Sequence, residues 1–266
     1  MNQKEVKLVL FDMDGTLLNS KKELPKEFND IAKKMINQGI KIAIASGRQY
    51  QTLIEQFSEF KDDFIFISDN GTICYYHDQC ILSDQLTKEE VLHSRQKLSD
   101  PKASMIYCGI KSAYTENSNQ EFINIANIYY KNFQVVKSIN NIDDKICKLA
   151  IYHEENASKL LDLYKGFSNT LTPVHSAKNW LDISHSNISK GSALIEIQKM
   201  FNISYYQTMA FGDYLNDLEM LKNSYYSFAM ENAVDEIKRV SNFNTLSNDE
   251  NGVIYALKSD FDFLNK

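Results

Sequence analysis

The stretch Val6-Lys7-Leu8-Val9-Leu10-Phe11-Asp12-Met13-Asp14-Gly15-Thr16, residues 6–16, sets the fold of this chain. Its apolar run stops abruptly at two aspartates, as a buried parallel strand does where it ends in a loop. A helix is expected next, because Pro25 suits a first turn, apolar residues recur at helical spacing from Phe28 to Ile36, and Gly39 suits a C-terminal cap. The beginning of the sequence therefore predicts a strand, a loop and a helix.

The same pattern returns twice within the next forty residues. Ile40 to Ala45 is an apolar run that ends at Ser46-Gly47-Arg48, and Phe64 to Ile67 ends at Ser68-Asp69-Asn70-Gly71. The Asn-Gly pair predicts a hairpin into Thr72 to Tyr76. Strands that alternate with helices predict an α/β fold, a doubly wound and mostly parallel Rossmann-like sheet.

The pattern changes from about Leu86 to Ser184, where several strands and a few helices, one of them expected at Ala157 to Phe167, indicate an α+β module. The α/β alternation then resumes with a helix at Lys190 to Phe201, followed by a strand at Thr208 to Phe211 and a helix at Asn216 to Leu221. We therefore predict a discontinuous α/β core at residues 1–83 and 185–266, interrupted by an inserted α+β cap domain at 84–184.

The composition of the chain argues against several classes of protein. The 266 residues carry 29 Lys and Arg against 35 Asp and Glu, a net charge of −6, with no basic block of the kind that tracks nucleic acid. The apolar runs are too short for a membrane span, and the start at Met1 to Glu5 does not read as a secretory signal. The 4 cysteines show no C-x-x-C spacing, so we expect reduced packing residues in a cytoplasmic protein.

Three strand ends carry polar clusters that are expected to meet. The carboxyl ends of parallel strands share one edge of the sheet, where ligands bind, and this places Asp12 and Asp14 beside Ser46-Gly47 and Gly212-Asp213. Two carboxylates ~4 Å apart repel by about 4 kcal/mol at an effective dielectric near 20. A cation must therefore lie among the three aspartates, and the oxygen ligands match Mg²⁺.

These residues suit phosphoryl transfer. A carboxylate can attack phosphorus to form an aspartyl-phosphate, and a second acid two residues on can protonate the leaving alcohol and later activate water. The transferred group then needs hydrogen-bond donors around its oxygens. Ser46, the Gly47 amide and Lys190, which begins a helix just after the insertion, are the candidates.

Four motifs in this order resemble those of the haloacid dehalogenase superfamily. They are Asp12-Met13-Asp14-Gly15-Thr16-Leu17, Ser46-Gly47-Arg48, Ser189-Lys190-Gly191 and Gly212-Asp213-Tyr214-Leu215-Asn216-Asp217. The large insertion between the second and third motifs is similar to that of its Cof-like phosphatases. So are Asp69-Asn70-Gly71, Ala229-Met230-Glu231-Asn232-Ala233 and the ending Asn248-Asp249-Glu250-Asn251-Gly252-Val253.

The resemblance implies a role for each matching position. Asp12 would be the nucleophile and a Mg²⁺ ligand, Asp14 the general acid and base and a ligand through its backbone carbonyl, and Asp213 the third ligand. Asp217 would hold Asp213 or the waters of the metal from behind. The phosphoryl group would be held by Met13, Ser46, Gly47, Lys190 and Asn216.

Three residues are left with open roles. Asn70 is expected either to contact substrate or only to supply a left-handed turn. Glu231 stands where several relatives have glycine, and His185 lies near the expected junction of core and insertion, so that either residue is a candidate for an effect on the site.

The resemblance favours a Mg²⁺-dependent phosphatase that hydrolyses small phosphorylated metabolites, with sugar phosphates first among them, and that acts as a monomer or small homo-oligomer without nucleic acid or membrane partners. A phosphosugar mutase with the same intermediate is the nearest alternative. Mutases of this kind grip a distal phosphate with several cap arginines, whereas this cap region has Arg95 alone.

A phospho-acceptor or regulatory module that does not turn over is the alternative from another class. A dinucleotide-binding oxidoreductase is disfavoured because no G-x-G-x-x-G follows the first strand.

Overall fold

The computed structural model describes residues 6–259, which form two compact units. One unit comprises the described residues up to Ile81 and from Ser189 onward, and the other is Leu82–Ile188. The expected insertion at 84–184 thus begins two residues earlier and ends four residues later in the structure.

The first unit begins with the strand, loop and helix that the opening sequence predicts. Its elements on this side of the insertion are β1 (Leu8–Asp12), α1 (Phe28–Asn37), β2 (Lys41–Ala45), α2 (Tyr50–Gln56), β3 (Phe64–Ser68), β4 (Ile73–Tyr76) and β5 (Gln79–Ser83), whose last two residues already belong to the inserted unit. Helix α1 buries Phe28, Ile31, Ala32 and Met35, one face of the helix. Gly39 follows it with φ of +76°, the left-handed conformation expected of a C-terminal cap.

The inserted unit contains a second sheet. Its elements are α3 (Lys88–Lys97), β6 (Ala103–Gly109), β7 (Ala113–Thr115), α4 (Gln120–Tyr129), β8 (Phe133–Val135), β9 (Ile146–His153), α5 (Leu161–Tyr164), β10 (Leu171–Ala177) and β11 (Trp180–His185). The strand order is β10-β11-β9-β6-β7-β8, with antiparallel pairs except for the parallel pair of β7 and β8. The predicted α+β class of the insertion is confirmed.

The chain then returns to the first unit. The remaining elements are α6 (Lys190–Phe201), β12 (Thr208–Gly212), α7 (Leu218–Lys222), β13 (Tyr226–Ala229), α8 (Asp235–Val240), β14 (Phe243–Asn244) and α9 (Gly252–Ser259). The sheet of this unit has the order β14-β13-β12-β1-β2-β3-β4-β5. Every pair from β14 to β3 is parallel, and β4 returns antiparallel to β3, so the predicted doubly wound, mostly parallel sheet is confirmed.

The order of the strands locates the functional edge. Strands β1, β3 and β12 are buried at every residue, which requires cover on both faces of the sheet. The chain winds from β1 to β2 on one side, and β12 lies on the other side of β1. This reversal of winding direction opens a crevice at the carboxyl ends of β1 and β12, where doubly wound folds bind ligands.

Two helix predictions were wrong in detail. The expected helix at 157–167 is a 3₁₀ turn at Ala157–Leu160 followed by the four-residue α5, because Lys165 turns to an extended conformation and Gly166 takes φ of +66°. The expected helix at 216–221 begins as a 3₁₀ turn at Leu215–Asp217 before α7. Strands β5 and β14 and helix α9 had not been assigned from the sequence. No helix within residues 6–259 is both long and apolar enough to span a bilayer.

Candidate active site

A buried cluster of aspartates occupies the crevice beside β1. Asp12 ends β1, and the parallel register pairs Phe11 with Phe211, so the loop after β12 begins beside it. Asp12, Asp213 and Asp217 offer carboxylate oxygens that all lie within 4.8 Å of one another. Of the three aspartates predicted to meet, Asp12 and Asp213 do so and Asp217 joins them, whereas the Asp14 carboxylate is not in this group because it pairs with Arg48 and Lys22.

Lys190 lies within this cluster and is fully buried. Its Nζ donates to Asp12 Oδ1 at 2.5 Å and to Asp217 Oδ1 at 2.6 Å. Asp217 uses its other oxygen to accept the backbone N–H groups of Asp213 and Tyr214 at 2.9 and 3.1 Å. The Lys190 ammonium and the Asp217 carboxylate therefore connect Asp12, at the end of β1, to the loop after β12 that carries Asp213.

The start of α6 is placed by close backbone contacts. Ser189 caps the helix through Ser192, and a Cβ on Gly191 would lie 2.4 Å from the Cβ of Glu219. A Cβ on Gly71, which has φ of +103°, would lie 2.2 Å from the Ser189 carbonyl oxygen. Side chains at these two glycines would push away the helix end that carries Lys190, so the sequence needs glycine there.

The environment of the cluster disfavours its negative charge. Burial, together with the charge of Asp217, raises the pKa of Asp12 well above its ordinary value, although Lys190 opposes the shift. Burial also raises the pKa of Asp213. A cation bound beside these carboxylates would offset the cost of holding them ionised.

The donor set of this cluster fits Mg²⁺. The available ligands are carboxylate oxygens, which magnesium prefers, and a magnesium ion keeps several waters instead of demanding a full protein cage. Asp12 and Asp213 are the residues that would hold the ion. Asp217 has both oxygens engaged by Lys190 and by backbone N–H groups, which is consistent with the supporting role expected of it.

The loop after Asp12 also approaches Asp213. The Thr16 hydroxyl donates to Asp213 Oδ1 at 2.8 Å. Gly15 has φ of +90°, and a Cβ there would lie 2.5 Å from Asp213 Oδ2, so only glycine allows this approach. Sequence reasoning quoted Thr16 within the first motif but gave it no role.

Asp14 lies apart from the buried cluster, in an ion pair with two cations. Arg48 donates to both of its oxygens, at 2.9 and 2.6 Å, and Lys22 Nζ donates at 2.8 Å. Although partial burial opposes ionisation, the hydrogen bonds from Arg48 and Lys22 hold the pKa of Asp14 below its ordinary value. Sequence reasoning missed Lys22, which lies eight residues further on and outside every motif.

Three of the residues expected around a phosphoryl group, Ser46, Gly47 and Asn216, lie together with Asn70 in a second cluster, whereas Lys190 belongs to the aspartate cluster. Asn70 N–H donates to the Ser46 carbonyl at 2.9 Å, and Asn216 Nδ2 donates to Asn70 Oδ1 at 3.0 Å. A Cβ on Gly47 would lie 3.2 Å from Asn70 Nδ2. Asn70 has φ of +56° after Asp69 with φ of +48°, so the left-handed turn foreseen for Asn70 is present. Met13 is buried, and its carbonyl accepts the Leu18 N–H.

The other two open residues lie outside these clusters. His185 belongs to the inserted unit, where Nδ1 lies 2.5 Å from Asp84 and Nε2 lies 3.2 Å from Glu90. Although burial opposes protonation, these two carboxylates raise the pKa of His185. Glu231 is exposed, and its backbone N–H donates to the Leu246 carbonyl.

Comparison with known proteins decides the family. A family model described as haloacid dehalogenase-like hydrolase matches residues 9–257. The chain belongs to the haloacid dehalogenase-like hydrolases. The resemblance carried by the four motifs is thereby confirmed, and the protein is a hydrolase of that family.

Relatives of this hydrolase cover nearly its whole length. It is 29% identical to the 5-amino-6-(5-phospho-D-ribitylamino)uracil phosphatase YbjI of Escherichia coli, over 94% of each chain. It is 27% identical to the phosphatase YwpJ of Bacillus subtilis, over 95% of this chain and 99% of that protein. A solved haloacid dehalogenase-like hydrolase from Bacteroides thetaiotaomicron is 25% identical to this chain, with a TM-score of 0.83. The match covers 97% of this chain and 100% of that protein.

Replacement of Lys190 by methionine is expected to lower the free energy of unfolding of this hydrolase by about 3–5 kcal/mol at pH 7, because two buried carboxylates lose their counter-charge. The change also raises the pKa of Asp12 further, so the folded state binds a proton where the unfolded chain has released one. The destabilisation therefore shrinks as the pH falls toward the ordinary range of carboxyl groups. Denaturant unfolding at pH 7 and at about pH 5.5 measures both effects.

The matched control for this experiment is Lys199→Met, on the same helix, where an exposed lysine pairs with Glu196 at 2.7 Å. An exposed pair of this kind contributes at most about 1 kcal/mol. Equal losses for the two lysines, or a Lys190→Met defect that grows on acidification, would contradict the assigned role of Lys190.

Proposed function

We propose that this hydrolase is a Mg²⁺-dependent phosphatase of small phosphorylated metabolites and that it acts through an aspartyl-phosphate on Asp12. The observation that carries the proposal is the buried Lys190 between Asp12 and Asp217, with Asp213 beside them. An ordinary structural ion pair needs one acid and one base. Three acids around one ammonium suit a site that also takes a divalent cation and a phosphate dianion.

Asp12 is the nucleophile in this proposal. One of its carboxylate oxygens attacks phosphorus, the bond from phosphorus to the ester oxygen breaks, and the phosphoryl group moves to Asp12. Water then attacks the same phosphorus, the bond to Asp12 breaks, and inorganic phosphate leaves with Asp12 restored. Lys190 directs one Asp12 oxygen by its 2.5 Å contact and places positive charge beside the transferring group.

Asp14 moves the protons. It protonates the leaving alcohol in the first step and takes a proton from water in the second. Arg48 and Lys22 keep it ionised in the free protein, ready for the second step. A bound phosphate ester brings negative charge that competes for these two cations, and Asp14 then regains affinity for the proton it must donate.

The phosphoryl oxygens are received by groups from three loops. Ser46, the Gly47 and Met13 backbone amides, and Asn216 are the donors. The hydrogen bond between Asn216 and Asn70 supports the assignment, since the Asn70 N–H also donates to the Ser46 carbonyl and so connects the Ser46-Gly47 loop to the loop that follows β12. Asn70 is proposed to contact the substrate through the amide that it presents there.

Mg²⁺ held by Asp12 and Asp213, and by the Asp14 carbonyl that the family resemblance implies, would neutralise charge on the phosphoryl group. That positive charge would also oppose the effect of burial, which raises the pKa of Asp12 and of Asp213.

Sugar phosphates and sugar-alcohol phosphates are the proposed substrates. The relative from Escherichia coli is named for a phosphoribityl compound, which supports this class. A mutase that grips a second phosphate with arginines is disfavoured. Arg95, the one arginine of the insertion, donates to Glu116 at 2.6 Å and is thereby engaged within its own unit.

Turnover of p-nitrophenyl phosphate with Mg²⁺ tests the reaction. We expect phosphate release by the unchanged protein and its loss on chelation of the metal. Asp12→Asn is expected to abolish turnover because the nucleophile is gone, and Asp14→Asn to lower kcat by about 10²- to 10⁴-fold. Asp235→Asn, an exposed aspartate in the first turn of α8, is the control and retains full activity. Full activity in Asp12→Asn would refute the proposal, and a stable phosphoprotein without turnover would favour a regulatory module.

A panel of phosphorylated metabolites tests the substrate class. It contains hexose and pentose phosphates, ribitol phosphate, nucleoside monophosphates, flavin mononucleotide and pyridoxal phosphate. We expect the highest kcat/KM among the sugar and sugar-alcohol phosphates. A preference of tenfold or more for nucleotides or pyridoxal phosphate would overturn the class, and isomerised sugar phosphate without free phosphate would indicate a mutase.

A further inference from the structure

The segment 230–234, which follows β13, lies between the two loops that carry the aspartates. Its backbone contacts the loop after β12 twice: Met230 N–H donates to the Gly212 carbonyl at 3.2 Å, and Val234 N–H donates to the Asp213 carbonyl at 3.0 Å. The segment is thus fixed to the loop that carries Asp213. The proposed reaction gives none of its side chains a role.

Asn232 joins this segment to the loop after β1. Its Nδ2 donates to the Gly15 carbonyl at 2.8 Å, across 217 positions of sequence. Its Oδ1 accepts the Asn248 N–H at 3.0 Å, so both ends of the amide are held and its orientation is fixed. The side chain is exposed, and its loss leaves no cavity.

The residues just before α9 hold the same loop further along. Asn248 Nδ2 donates to the Leu18 carbonyl at 2.9 Å. Asp249 Oδ1 accepts both the backbone N–H and the hydroxyl of Ser20, each at 2.8 Å. Side chains late in the chain therefore hold the loop of the first motif at Gly15, Leu18 and Ser20.

Gly15 is the most sensitive of these points. It lies between Asp14 and Thr16, whose hydroxyl contacts Asp213, and it is too close to Asp213 to carry a Cβ. A shift of the Gly15 peptide moves Asp14 relative to Asp213. Misplacement of a reacting group by about 1 Å can cost on the order of 10² in rate.

We propose that Asn232 is a positioning residue that fixes the loop carrying Asp14 against the loop carrying Asp213, with Asn248 and Asp249 as its second anchor. The consequence for catalysis rests on the proposed function. The consequence for the loop itself does not, because it follows from the hydrogen bonds alone. Asn232 touches neither the aspartate carboxylates nor the expected phosphate donors in the contacts described above, and it acts through Gly15.

The test compares Asn232→Ala and Asn232→Asp with Asn242→Ala. Asn232→Asp keeps the acceptor for Asn248, but it replaces the donor to Gly15 with a carboxylate oxygen that faces the Gly15 carbonyl. Asn242 is the matched control, since its Nδ2 also donates to a backbone carbonyl, that of Tyr225 at 2.7 Å, before the edge strand β14. Each alanine variant removes from the same unit a side-chain amide that donates to a backbone carbonyl, and Asn232→Ala also removes the acceptor for the Asn248 N–H.

Amide hydrogen exchange measures how often the loop after β1 opens, and it does so independently of catalytic activity. Leu17 N–H donates to the Asp12 carbonyl and Leu18 N–H to the Met13 carbonyl, so these amides report whether the loop is closed. We expect them to exchange at least about threefold faster in both Asn232 variants and at an unchanged rate in Asn242→Ala. Unchanged exchange in both Asn232 variants would overturn the proposal.

Kinetics then measures the consequence for Asp14. We expect kcat to fall by about ten- to a hundredfold in the Asn232 variants, with KM within threefold of the original. The loss should be larger for an alkyl phosphate than for p-nitrophenyl phosphate, because p-nitrophenolate leaves with little help from a proton donor. Faster exchange with no activity in the unchanged protein would refute the proposed function and leave the positioning role intact. An equal kcat loss in Asn242→Ala would overturn the positioning role.

Discussion

The buried ammonium of Lys190 is the interaction on which the rest of the site depends. A charge removed from water costs several kcal/mol unless it is paired, and this one is paired twice, with Asp12 and with Asp217. Together with Asp213, the group holds three carboxylates and one ammonium. With all three carboxylates ionised, two negative charges remain, and the proposed Mg²⁺ would balance them.

Two aspartates separated by a single residue have opposite environments. Asp12 ends a fully buried strand and has its pKa raised by burial, whereas Asp14 lies among Arg48 and Lys22 and has its pKa lowered. Different environments for two like acids are how one site obtains two roles. In the proposed reaction the nucleophile Asp12 must be ionised in spite of its burial, which a bound metal ion would bring about. In the proposed reaction Asp14 must instead exchange protons with the substrate and with water. Its partial exposure allows this exchange, and so do Arg48 and Lys22, since a bound phosphate would compete with Asp14 for these two cations.

Much of the site follows from the sequence, because parallel strands that end in polar residues must present them at a common edge. That argument was sufficient to bring Asp12 and Asp213 together, the position of Lys190 at the start of the helix after the insertion added that residue, and the family resemblance added Asp217. It did not reach Lys22, whose role depends on the path of a loop, or Asn232, whose partner lies 217 positions away. The wrong helix at 157–167 has a similar cause: its apolar spacing is helical, but the tertiary path requires a turn at Gly166. The periodicity of apolar residues indicates which face of a segment is buried, but it does not indicate where the tertiary structure requires the chain to turn.

The most direct test of the account is to locate the phosphoryl group during turnover. The protein is mixed with substrate and Mg²⁺, quenched in acid, reduced with borohydride and digested. The masses of the peptides are then measured by mass spectrometry. An aspartyl-phosphate is reduced to homoserine, so we expect homoserine at position 12 alone, and none when substrate is omitted. Homoserine at position 14 or 213, or phosphate release with no modified peptide under conditions of rapid turnover, would contradict a nucleophilic Asp12 held by Lys190.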